Sequence, residues 1–177
     1  MPEPVTRDEA KLHCRVLHDD ENDLIDGLIV AAREWVENFT GHILVQREVK
    51  QRLSCFRHPR LFAWPIADDA TVTATYVDSD GATQPITGAR LIFGNGWAEL
   101  AAAFGSTWPT SYGPATVTVE AGYATADDVP QSMKQAILLS VAHWFAVRET
   151  VNIGNITSEV PFTVDALCRP YRMVLIG

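Results

Sequence analysis

Ser140 and His143 are the pair whose types and spacing could do nucleophilic chemistry. They stand three residues apart in a segment of helical pattern, close enough to share a face. A hydrolytic dyad also needs a carboxylate to orient the imidazole, and no Asp or Glu is placed by the sequence to do so. The better reading of His143 is a core or interface histidine. His13, His18, His42 and His58 lack the spacing of a metal-binding motif. Cys14, Cys55 and Cys168 are odd in number, far apart and without a C-x-x-C, so neither a disulfide framework nor a zinc site is indicated, and a reducing compartment fits. Asp78-Ser79-Asp80-Gly81 opens like a calcium loop, but the ladder of further oxygen ligands and the closing Glu do not follow, so it reads as a hairpin turn. Gly94-Asn95-Gly96 has no helix opening behind it to cradle a phosphate. Trp35 and Trp144 fall on apolar stripes and Trp64 and Trp108 precede prolines, which favours packing over a stacking platform for sugars or bases. Trp97 is the tryptophan least accounted for. No catalytic, cofactor or metal site is expected.

The composition sets broader limits. At 177 residues, 47% hydrophobic and 20% charged, the chain has the length of one domain and enough apolar content to repay the entropy of ordering. The expectation is a single domain over 1–177. A formal net charge of −8 argues against a duplex-gripping surface, which gains its affinity from Lys and Arg neutralising phosphates. Arg47, Lys50, Arg52, Arg57 and Arg60 run against that balance, opposed only by Glu48, and read as a solvated strand face or a partner-facing patch. The first residues, MPEPVTRDEAK, lack the layout of a secretory signal, and Ile137–Val147 is far short of the ~20 apolar residues of a membrane span. A cytoplasmic protein with no membrane partner is expected.

Thr6 and Glu9 form a capping box that starts a helix over about Arg7–Val16. Asp19 or Asp20 caps a second, running to Gly41, whose freedom at positive φ suits a helix end. Leu24, Ile25, Leu28, Ala32, Trp35, Val36 and Phe39 recur at helical spacing on its apolar face, while Ile29, Val30 and Ala31 widen the apolar surface towards a second contact. From Ile43 to Tyr123 the period changes to two. Val45, Val49 and Leu53 mark one strand, Val72–Tyr76 another before the Asp80-Gly81 turn, Ala89–Phe93 and Gly96–Leu100 a further pair, and Val117 and Val119 the last. Pro130 then opens a helix over 130–149, with Met133, Ile137, Val141 and Trp144 on one stripe and Leu138, Ala142 and Phe145 broadening it. The fold class is α+β: a helical core of early and late helices (about 7–41 and 130–149), an antiparallel β insertion (about 43–123), and an extended C-terminal tail (about 155–177).

Three blocks in this order resemble the head-to-tail connector, or adaptor, proteins of long-tailed bacteriophages and gene transfer agents. The first is Leu12, Arg15, Val16, Leu24, Ile25, Leu28, Ile29, Ala32, Arg33, Thr40 and Gly41. The second is Val129-Pro130, Gln135–Leu139 and His143-Trp144, and the third is Pro170-Tyr171-Arg172. The resemblance implies a structural adaptor without catalysis that assembles in the bacterial cytoplasm. It implies a homo-oligomeric ring of about twelve subunits in the virion neck, beneath the portal protein, extending the DNA channel towards the tail-side neck proteins. DNA would pass without specific binding, as an acidic or neutral wall permits. A tail-completion or other neck protein is the nearest alternative. A small hydrolase using Ser140 and His143, or a ligand-binding monomer with a pocket around Trp97 and Trp108, are the alternatives from other classes.

The tail concentrates apolar residues after the Gly154-Asn155 hinge, so it must dock, either on its own core or beyond its own subunit. On the second expectation Phe162 and Tyr171 anchor the partner contact with Leu167, Met173 and Leu175, and Arg169 and Arg172 supply polar pairing.

Overall fold

The computed structural model describes residues 2–56, 59–94, 96–147 and 162–173. The chain folds as two compact units, one made of 1–45 and 123–177, the other of 46–122. The second unit is the β insertion expected between the early and late helices.

In the first unit, helix α1 (Arg7–Cys14) begins at the Thr6 capping box, with the Thr6 hydroxyl accepting from the Glu9 amide and the Glu9 carboxylate accepting in return from the Thr6 amide at 2.7 Å. Arg15 ends it in the left-handed conformation, φ 59°, sooner than the apolar pattern suggested. Helix α2 (Asn22–Thr40) stops at Gly41, φ 79°. Neither Asp19 nor Asp20 caps it. Glu21 holds the cap position with no side-chain capping bond, while the Asp19 carboxylate is taken by Lys11 Nζ at 2.6 Å and Asn22 Nδ2 at 3.3 Å, which ties the end of α1 to the start of α2. Helix α3 (Gln131–Ala146) starts after Pro130, behind a 3-10 turn over Ala126–Asp128. A fourth helix, α4 (Phe162–Cys168), continues as a 3-10 turn over Arg169–Tyr171. The tail is therefore helical over these residues and not extended. Val164, Leu167, Cys168 and Tyr171 follow i, i+3, i+4, i+7, so one face of a short helix can be buried.

One core holds these helices together. Ile25, Ile29, Ala32 and Val36 of α2 meet Met133, Ala136, Ile137 and Val141 of α3, and Val164 and Cys168 of α4 close it. The apolar breadth of α3 is thus satisfied within its own unit, since α1, α2 and α4 all pack on it. On α2 the buried stripe is rotated from the expected one. Ile29 is inside, while Leu24, Val30 and Ala31 face outward. Arg33 fastens the chain start to this helix, donating to Glu3 at 2.8 Å and to Glu37 at 3.0 Å; Glu37 in turn accepts from the Leu44 amide at 2.7 Å.

The second unit holds two antiparallel sheets. Strands β1 (Arg47–Leu53), β7 (Ala115–Ala121), β3 (Val72–Val77) and β4 (Thr83–Ile86) form the larger, in the order β1-β7-β3-β4; β2 (Arg60–Leu61), β6 (Trp97–Ala101) and β5 (Arg90–Gly94) form the smaller, in the order β2-β6-β5. Alternation does what the pattern implied. Val117 and Val119 point inward with Leu53, Ala74, Leu61 and Leu100, while threonines and charges alternate outward. The Gln51 side chain joins the two sheets, its amide donating to the Arg60 carbonyl and accepting from the Phe62 amide, both at 2.8 Å.

Candidate functional site

The two residues that sequence could pair for catalysis are committed to structure. Ser140 is fully buried, and its hydroxyl donates to the Ala136 carbonyl one turn back at 2.9 Å, the ordinary bond of a serine inside a helix. His143 lies half-buried on α3 with its carbonyl accepting from Val147 as the helix ends. A nucleophile must present its oxygen to a substrate, and this one faces the core.

The calcium-like loop is a hairpin turn. One Asp78 carboxylate oxygen accepts from the Asp80 and Ala82 amides at 3.0 and 2.9 Å and the other from Gln84 Nε2 at 2.8 Å, so these donors lower its pKa from the usual carboxylate value and use the oxygens a cation would need. Among the described residues no group of three His, Cys, Asp or Glu side chains could hold a metal, and no described helix is long and apolar enough to cross a membrane. Trp108 stacks on Phe56 with ring centroids 4.6 Å apart, and Trp97 lies under the Arg60 guanidinium at 5.1 Å. Both rings are engaged by their own unit. Gly94 permits this at Trp97, since a β-carbon there would stand 2.0 Å from the indole.

Polar chemistry concentrates where the tail returns to the end of α2. The His42 ring is buried, its Nδ1 3.0 Å from the Tyr123 hydroxyl, and Tyr171 meets it edge-on with centroids 6.1 Å apart. Burial holds the imidazole down to about 4, only partly opposed by a hydrogen bond with the Tyr171 backbone, and pushes the Tyr123 phenol up to about 12. His42 is neutral at physiological pH and works as a packed hydrogen-bonding group. Burial likewise lifts the Cys168 thiol to about 11, far from the reactive thiolate range.

The expected partner-contacting residues fall around this same place. Met173 donates its amide to the Thr40 carbonyl at 2.8 Å and its side chain covers Gly41; Arg172 sits 5.4 Å over the Phe39 ring; Leu167 and Tyr171 pack on the helical core. Arg169 pairs with Asp165 one turn back and is exposed, as is Arg172. The Phe162 side chain and Leu175 lie outside the described residues. Residues 162–173 therefore form a clasp on their own unit. Of the basic run, Lys50 pairs with Glu48 at 3.1 Å, Arg52 is exposed, Arg60 covers Trp97, and Arg57 lies outside the described residues.

What remains outward is apolar or charged surface suited to assembly. Leu12, Leu17 and Leu24 are exposed where α1 meets α2, and Phe62, Ile92 and Phe104 are exposed on the β unit. Residues 5–58 match the sequence profile of the phage gp6-like head-tail connector proteins. No curated protein sequence matches the chain. Among solved structures, a chain from the neck of an empty gene transfer agent particle computed with C6 symmetry is 25% identical, covering 98% of this chain and 92% of that one with a TM-score of 0.74. A chain from the neck of the native particle computed with C12 symmetry is also 25% identical, over 94% of this chain and 90% of that one, at 0.67. A chain from the native gene transfer agent virion, at 22% identity and a TM-score of 0.76 over 98% and 92%, shares the fold. Residues 5–58 are thus similar to the gp6-like head-tail connector proteins, and along nearly its whole length the chain has the fold of gene transfer agent neck subunits.

Proposed function

We propose that this chain is a structural adaptor of a phage-like particle, a subunit of a homo-oligomeric ring in the neck between head and tail. The observation that supports this best is the agreement of the fold with neck subunits over both units at once, the helical unit and the β insertion. The geometry is consistent with that role. The helices close on one another around a core that Arg33, His42 and the α4 clasp fasten, which gives a rigid block, and the outward groups are leucines, aromatics and charges instead of a convergent reactive cluster.

The ring would have about twelve copies, stand beneath the portal protein and pass DNA through its channel to the tail-side proteins. A net charge of −8 per subunit suits passage without retention. In the tail, exposed Arg169 and Arg172 and the segment carrying Leu175 are the groups that would meet portal or tail-side partners, while Leu167, Tyr171 and Met173 anchor that segment at its base. No step of catalysis is needed for this work. Deleting the gene in a particle-producing host and imaging the lysate tests the reading. DNA-filled heads without tails are expected, restored by the gene supplied separately. Complete, infectious or transducing particles from the deletion would overturn it.

A further inference from the structure

Closed cyclic rings need two different, complementary patches on each subunit, because every copy uses its front face on one neighbour and its back face on the other. Among the described residues, Leu12, Leu17 and Leu24 make one exposed apolar patch and Phe62, Ile92 and Phe104 another, apart from the exposed Val30, Tyr112 and Val147, and the charges of the two patches differ.

The first patch is the outward face of the smaller sheet. The register places Arg60, Glu99 and Ile92 side by side across β2, β6 and β5, with Trp97 and Arg90 in the flanking rows. Phe62 follows Arg60 on the same face and is 56% exposed; Phe104, 87% exposed, lies under the Arg90 guanidinium at 4.1 Å. A Trp, two Phe and two Arg in one contiguous area is the composition of interface hot spots, and a side chain as apolar as Phe104 gains little from open solvent. The second patch is the corner of α1 and α2. Leu12, Leu17 (97% exposed) and Leu24 stand there beside exposed Asp20 and Asp23, on a corner braced by the Lys11–Asp19 pair.

Charge decides which patch meets which. The helical segments carry 15 acidic and 8 basic residues, a net −7, against 7 acidic and 6 basic, a net −1, in 46–122. Packing helical unit on helical unit would set −7 against −7 at every joint. Packing this sheet face, whose Arg60 and Arg90 outnumber its Glu99, on the acidic leucine corner avoids that repulsion and sets unlike charges beside the apolar side chains of both patches.

We propose that the outward face of the β2-β6-β5 sheet docks on the Leu12–Leu17–Leu24 corner of a second copy of this chain, as the repeated joint of the ring. The inference rests on the adaptor reading above and assigns its subunit contact.

The test is a charge reversal in full-length chain, made in a particle-producing host, with copies of the chain per purified particle counted by quantitative mass spectrometry. Arg60→Glu with Arg90→Glu should lower incorporation at least tenfold, and so should Asp20→Lys with Asp23→Lys. All four substitutions in one chain should restore it to within about twofold. Phe62→Ser with Phe104→Ser, two exposed positions outside the core, should also lower incorporation while the purified chain keeps the circular dichroism and melting temperature of the parent. Normal incorporation of that Phe variant together with either charge variant would overturn the proposal, and so would failure of the fourfold reversal to restore it. In each case parental chain present in the necks of control particles shows that the adaptor reading stands; its absence from those necks would show that the reading itself had failed.

Discussion

Replacing Val164 by Ala measures whether α4 belongs to the free subunit or waits for a neighbour. Val164 is fully buried, and the surface it fills is the core shared by α2 and α3. The substitution removes two methyl groups, each worth about 0.8 kcal/mol of transfer free energy, or ~1.6 kcal/mol together. A residual cavity adds to this, because packed neighbours relax only in part, so the expected loss is about 2 kcal/mol. With a urea slope of about 2 kcal/mol/M, the unfolding midpoint should fall by roughly 1 M at unchanged slope. The assay is urea titration of purified chain followed by circular dichroism at the helical band, which reports the helical unit and not the sheets. Thr163→Ala, one residue away and exposed, is the control and should move stability by less than about 0.5 kcal/mol. If Val164→Ala unfolds at the same urea concentration as the parent, α4 is not packed in the free subunit and the clasp described here is wrong.

Three other outcomes follow from the same geometry. The His42 imidazole stays neutral until about pH 4 in the folded chain but takes up a proton near 6.5 once unfolded, so stability is greatest above pH 6.5 and falls as pH drops towards 4. Each pH unit in that window should remove up to ~1.4 kcal/mol, and His42→Gln should flatten that part of a stability-against-pH curve measured by chemical denaturation. Gly41→Ala forces a side chain into φ 79° and sets its β-carbon 3.3 Å from Met173; a loss of about 1–2 kcal/mol is expected, read as a lowered melting temperature. Ser140→Ala removes a hydroxyl bonded only within its own helix, so stability should change by less than about 1 kcal/mol and particle yield should not change. A stable Ser140→Ala chain that fails to yield particles would return the hydrolase reading.

The start of α1 and the end of α2 were legible because local chemistry sets them. The Thr6–Glu9 box and Gly41 need only their own neighbours, and both stand where the pattern put them. Alternation likewise located β1, β3 and β7, and the Gly94-Asn95 pair located β5 and β6 on either side of it. Strands β2 and β4 were not legible: they are two and four residues long, and β2 is held partly by the distant Gln51 amide, which no local pattern announces. The rotation of α2 was missed for a related reason. Leu24 and Ile29 are equally apolar, and the choice of the inward one is made by the partners α1, α3 and α4. The i, i+3, i+4, i+7 set from Val164 to Tyr171 was a helix signal in plain view, obscured by the short length of the segment. Asp19 failed as a cap because Lys11, in another helix, competes for it. At the candidate site, the dismissal of Ser140 as a nucleophile followed from the missing carboxylate, whereas the His42–Tyr123–Tyr171 cluster joins residues up to 129 positions apart and could not be read along the chain.

The central claim is a place in the neck. Cryo-electron microscopy of particles purified from a host expressing this chain, with the neck reconstructed under cyclic symmetry, tests it most directly. The account predicts a ring below the portal whose repeating density accepts both units of this fold, with the Leu17 corner of each copy against the Phe62 and Trp97 sheet face of the next. A neck whose rings are all filled by other chains, with this one absent from the particle, would contradict it.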